Sequence, residues 1–140
     1  MGLTVSGAES ESWYATHPEH KIHVELSSDQ ITAVYRGKTI AESDKVLVLH
    51  ESRHGPVYYF PRDSVQMGYL DRTDHHTYCP FKGEASYWTL RVNGGVTENA
   101  VWSYEDPLVE VAGIKDYVAF YADKIDAWYA NGEPIDPSEE

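Results

Sequence analysis

Apolar residues in this chain come in short bursts, each closed by turn chemistry, and bursts of that length make strands rather than helices. Ile22, Val24 and Leu26 alternate with His23 and Glu25, which predicts a strand over 21–26 with one face buried. Ser27, Ser28, Asp29 and Gln30 then turn the chain into a β-branched and aromatic run, 31–35. Arg36-Gly37-Lys38 closes that run into a hairpin with a short strand over 39–41. The continuous run 46–49 reads as a central strand that delivers Glu51 where it leaves the core, and 57–60 as the next strand, stopped by Pro61. Strands are also expected over 86–92, up to the Gly94-Gly95 turn, and over 100–104.

Three stretches read differently. Residues 62–70 suggest one short helical turn, and the polar run Asp71-Arg72-Thr73-Asp74-His75-His76 a loop. Residues 109–122 place Val111, Ile114, Val118 and Tyr121 at helical spacing, but Tyr117, Val118, Phe120 and Tyr121 are better strand formers. A turn followed by a strand over 117–121 is therefore expected, then a last strand over 125–129 ended by Asn131-Gly132. The organisation is a flexible N-terminal tail over 1–16, a single domain over 17–132 and an acidic C-terminal tail over 133–140.

With 23 acidic and 11 basic residues the formal charge is −12, which repels polyanions, so neither nucleic acid nor an anionic membrane is expected as a partner. The acidity is read as serving solubility or a salt-rich setting. One cysteine makes no internal disulfide, and no apolar run reaches the roughly 18 residues of a membrane span, so a cytoplasmic location is expected. Met1-Gly2-Leu3-Thr4-Val5-Ser6 fits a loose N-myristoylation pattern, but no polybasic cluster follows and the match is read as coincidence.

Cys79-Pro80-Phe81-Lys82-Gly83 is a tight turn that displays Lys82 at a strand entrance. Lys82 and Arg62 both stand just after a proline at the edge of an aromatic strand. If they converge they form a local positive site for a small anion; otherwise Arg62 pairs with Asp63 or Asp106, and Lys82 with Glu51 or Glu84. Cys79 is a nucleophile served by His75 or His76, or a small packing residue, and packing is favoured. The histidines at 17, 20, 23, 50, 54, 75 and 76 have no companion Cys-x-x-Cys, so neither a metal nor a cofactor is expected. Alternation sends about half of Tyr58, Tyr59, Phe60, Tyr87, Trp88, Trp102 and Tyr104 inward; most are read as core, and the alternative is a ring stack that lines a cleft mouth with Trp102 as its floor.

The ordered motifs His17-Pro-x-His20, Gly37-x-x-Ile-Ala41-x-Ser43, Glu51, Tyr58-Tyr-Phe-Pro-Arg-Asp63, Thr77-x-Cys-Pro-Phe-Lys-Gly83-x-Ala85-x-Tyr87 and Trp102-x-Tyr104-x-x-Pro107 closely resemble the domain of unknown function family 427 over residues 17–132. The resemblance implies an all-β, antiparallel, β-tent-like fold of two sheets with one or two short helical turns. Methionine sulfoxide reductase B and the drug-binding domain of cereblon share that fold. Many β-tent relatives hold zinc through two Cys-x-x-Cys knuckles; this chain has neither. The family also carries a nucleotidyltransferase label, which calls for paired carboxylates and a glycine-rich phosphate cradle, whereas Asp71 and Asp74 form only a loose pair.

Glu51, Tyr59, Arg62, Thr77, Cys79, Lys82 and Trp102 are expected to converge on one cleft, because each lies at or beside a strand end where a turn begins. The reading favoured is a small-molecule binding domain for a small anionic ligand. The alternatives are an enzyme on a small phosphorylated or carboxylated metabolite, with Glu51 or a histidine as general base, and a protein-interaction module.

Overall fold

The computed structural model describes residues 13–137, in which one helical turn, α1 (Trp13–Thr16), precedes eleven strands. In chain order these are β1 (Ile22–Leu26), β2 (Ile31–Tyr35), β3 (Lys38–Ser43), β4 (Leu47–Glu51), β5 (Val57–Phe60), β6 (Leu70–Cys79) and β7 (Gly83–Val92). They continue with β8 (Gly95–Ser103), β9 (Val118–Phe120), β10 (Ala127–Ala130) and β11 (Glu133–Ile135). Every pairing is antiparallel. The strands form a seven-stranded sheet, β1-β4-β5-β9-β8-β7-β6, and a four-stranded sheet, β11-β10-β2-β3. This is the two-sheet, all-β architecture expected, with short 3-10 turns such as Arg62–Ser64, Met67–Tyr69 and Val109–Ile114 as the remaining regular structure.

Alternation along the strands gives the larger sheet two buried faces. Phe60, Trp88, Leu90, Val101, Val118 and Phe120 pack against Ile31, Ala33, Tyr35, Ile40 and Trp128, the core between the sheets. Their chain neighbours Tyr59, Tyr87 and Ala119 point the other way, into a second cluster with Leu49, Ala85 and Tyr104, which Val111 and Ile114 of the 109–114 turn help to cover.

That second face is concave. Glu51 ends β4, the second strand of the sheet, and Lys82 sits in the turn between β6 and β7, the seventh and sixth. In a flat sheet β4 and β7 would lie roughly 19 Å apart at about 4.8 Å per strand. That separation exceeds the combined reach of the two side chains, which nevertheless meet at 2.6 Å, so the sheet curls towards itself.

Sequence and structure part in three places. The polar run 71–76 belongs to an edge strand, β6, with a register irregularity between Arg72 and His76; its polar side chains are those of an exposed sheet edge, which composition alone makes look like a loop. The chain continues past Asn131-Gly132, both at positive φ, into β11, which pairs with β10. Trp13–Thr16, expected within the tail, is a helical turn, while tail residues 1–12 and 138–140 lie outside the described residues. The 109–122 stretch forms the expected turn and strand. No helix among the described residues is long and apolar enough to cross a membrane.

Gly83 has φ +109°, and a Cβ there would sit 3.4–3.5 Å from backbone atoms of Asp106, Pro107 and Leu108. Gly83→Ala is expected to lower unfolding free energy by about 1–3 kcal/mol, because the conformation is costly for any L side chain. Urea denaturation measures this; an unchanged midpoint would mean that the turn relaxes.

Candidate functional site

The turn that carries Lys82 is pinned on both sides. The Lys82 amide donates to the Cys79 carbonyl at 3.1 Å, and the Lys82 carbonyl accepts from the Leu108 amide at 3.0 Å. From there Nζ donates to Glu51 Oε1 at 2.6 Å, with both side chains nearly buried, at 11% and 12% exposure. His20 Nε2 meets the other carboxylate oxygen at 2.7 Å, and its ring stacks on Phe81 at 4.0 Å. The Phe81 carbonyl accepts from the Tyr14 hydroxyl at 2.5 Å, so the N-terminal turn roofs the pair. Burial pushes the Glu51 carboxyl up, but the hydrogen bond and charge of Lys82 and the hydrogen bond from His20 outweigh it and hold the group below its ordinary value.

Beside the pair lie phenols. Tyr59 is fully buried, and its oxygen accepts from Trp102 Nε1 at 3.3 Å. Tyr104, 6% exposed, shares the concave face, and among the described residues its hydroxyl has no hydrogen-bond partner. Nor does the Tyr59 hydroxyl proton find an acceptor there. Burial above all raises both phenols well beyond the ordinary range, so both are neutral donors at physiological pH. Glu51 and Cys79 influence each of them electrostatically, which places these groups around one spot. Thr77 Oγ1 and the Tyr87 hydroxyl are 2.9 Å apart at the rim, and Cys79 is a half-buried packing neighbour of the cluster.

Six of the seven expected residues thus belong to this concave side: Glu51, Tyr59, Thr77, Cys79, Lys82 and Trp102. Arg62 does not. Its guanidinium donates to the Asp116 carbonyl at 3.1 Å and to Ser103 Oγ at 3.0 Å, pairs with Glu105 at 3.1 Å, and lies 5.2 Å from the centre of Trp88, on the opposite face. Neither Asp63 nor Asp106 is its partner; Glu105, shared with Arg72, is. Lys82 pairs with Glu51, one of the two partners foreseen.

His20 and Tyr104 are the site residues that sequence reasoning left out. Tyr104 was within reach, since it stands two residues after Trp102 and so shares its side of the chain. His20 gave no such signal, because only the pairing of Ile22 with Glu51 across β1 and β4 brings it to the carboxylate. Asp71 is tied to Arg91 at 2.5 Å, and no group of three or more His, Cys, Asp or Glu side chains converges among the described residues.

These features define an antiparallel two-sheet domain whose arched sheet holds a buried lysine–glutamate pair beside two buried phenols whose protons find no acceptor among the described residues. A model of one family matches residues 23–131, and the chain belongs to that family, the domain of unknown function DUF427. No curated protein matches the chain significantly.

Removing one partner of a buried pair leaves an uncompensated charge. Lys82→Met is expected to cost about 3 kcal/mol, and adding Glu51→Gln to recover much of it, in a double-mutant cycle by denaturant unfolding. Because the folded-state pKa of Glu51 is depressed, its contribution is complete above the ordinary carboxylate value of 4.5 and is lost as pH falls through the lower folded value. Stability of Glu51→Gln relative to the parent should therefore converge at acid pH; a constant gap down to pH 2 would assign the stabilisation elsewhere.

Proposed function

We propose that the domain binds a small anionic molecule on the concave face of its large sheet. The observation that carries this reading is the set of donors without acceptors. Lys82 has three N–H bonds and gives one to Glu51, while the buried hydroxyls of Tyr59 and Tyr104 have protons with no acceptor among the described residues. Buried donors left unpaired each cost roughly 1–3 kcal/mol, so a fold that keeps such a cluster is served by a guest carrying acceptor oxygens. A carboxylate or phosphate supplies them, and the Lys82 charge, half offset by Glu51, favours a small anion over a polyanion. Trp102 bounds the site rather than flooring it, since its N–H is turned to Tyr59.

Binding is favoured over catalysis because both Glu51 oxygens are engaged, by Lys82 and by His20, so the carboxylate serves as a fixed counter-ion whose basicity is lowered by its partners. The deciding experiment is a thermal-shift and calorimetric screen of phosphate, small mono- and dicarboxylates and sugar phosphates against the parent and Tyr104→Phe. Tyr104→Phe is expected to be at least as stable as the parent, by up to about 1 kcal/mol, because it deletes an unpaired buried hydroxyl. It is also expected to weaken binding of the best anion roughly five- to tenfold. A destabilised Tyr104→Phe, or anion binding that ignores the substitution, would overturn the assignment.

A further inference from the structure

Beyond the end of β9 the large sheet has a gap. β9 is three residues long, and past it the Tyr121 amide still bonds the Ala100 carbonyl of β8 at 3.0 Å, whereas pairing with β5 stops at Ala119, so the side towards β5 is left open. A cavity of about 230 Å³ opens there, walled by the rings of Tyr58, Trp102, Phe120, Tyr121 and Trp128 and edged by Pro56 and Pro137. This is below the roughly 300 Å³ at which pockets for drug-sized ligands begin, so it suits a head group rather than a whole cofactor.

Its chemistry is one-sided. The Trp102 N–H is given to Tyr59 and the Trp128 N–H to the Ala122 carbonyl at 3.2 Å, so neither indole donor is left for a ligand. Trp102 and Tyr121 stand at an open angle, 4.7 Å between ring centres and 49° between planes, and Tyr58 and Trp128 at 5.9 Å and 60°. The cavity is thus lined by two pairs of rings in mutual contact, an aromatic wall whose π density attracts a desolvated cation. The surrounding field has the same sign. The chain carries a formal charge of −12; burial and the hydrogen bond with Tyr87 raise the Tyr121 hydroxyl, with Asp123 adding to the rise, and Asp123 and Lys124 of that turn are both exposed to solvent.

We propose that this gap is an aromatic cage for a methylated ammonium group, a site that adjoins the anion site and shares the Trp102 side chain with it. A methylated ammonium needs no hydrogen bond, which fits walls whose indole donors are engaged, and its charge fits the π faces and the acidic chain. Primary ammonium ions, which keep their hydration, are excluded by the same walls.

Calorimetry with choline and with 3,3-dimethylbutan-1-ol, its neutral isostere, tests this on the full chain. Choline is expected to bind roughly tenfold more tightly than the isostere, with chemical-shift changes centred on the Trp102 and Trp128 indole N–H signals. Tyr121→Leu, at a part-exposed position, should reduce choline affinity several-fold and leave the isostere unaffected. Equal affinity for the two compounds would show a merely apolar hole. Absence of choline binding at millimolar concentration, or a Tyr121→Leu chain that binds choline as the parent does, would equally overturn the proposal.

Discussion

Two charges that a flat sheet would keep on distant strands are held in contact in the interior of one end of this molecule. The Lys82–Glu51 contact can exist only if the seven-stranded sheet curls, and the curl makes one of its faces a hollow. Desolvating both charges is expensive, and their mutual attraction repays it only with good geometry and additional partners. The remaining features of this end supply those conditions: His20 on the second carboxylate oxygen, Phe81 stacked over His20, and Tyr14 tied to the Phe81 carbonyl. A segment near the start of the chain is thereby recruited to cover a pair whose members come from two other regions.

Inside the hollow, side-chain size matters as much as polarity. Ala85 and Ala119 are fully buried on the concave face among Tyr59, Tyr87 and Tyr104, so small residues alternate with large rings. Large residues at those two positions would have to displace the neighbouring rings. Trp102 stands at the boundary of this polar hollow and the aromatic gap, its N–H directed to one and its ring to the other. One indole thus separates two environments of opposite chemistry.

Much of the strand order was legible because antiparallel strands leave a period of two in the sequence. Tyr59 beside Phe60 and Tyr87 beside Trp88 are pairs of large rings that only a sheet buried on both sides accommodates. The edge strand β6 was not legible, since its exposed polar residues carry no burial pattern, and strand identity there comes from the β7 partner alone. That six of the expected residues share one side of the large sheet was legible from their places at turns. Arg62 was misplaced because it stands three residues after Tyr59 and two after Phe60, which sends it to the side of Phe60 and Trp88, and turn position says nothing about face.

The four-stranded sheet has a temporal consequence. It joins β2 and β3, residues 31–43, to β10 and β11, residues 127–135, and Asn131 hydrogen-bonds back to Gln30 and Asp29. During synthesis the hairpin of residues 31–43 leaves the ribosome about ninety residues before the strand that completes its sheet, several seconds at roughly 5–20 residues per second. Ile31, Ala33 and Tyr35 must wait through that interval without their final cover. A chain stopped short of residue 127 would leave them permanently without it, so the last strands act as the closing step of assembly for a core laid down near the beginning.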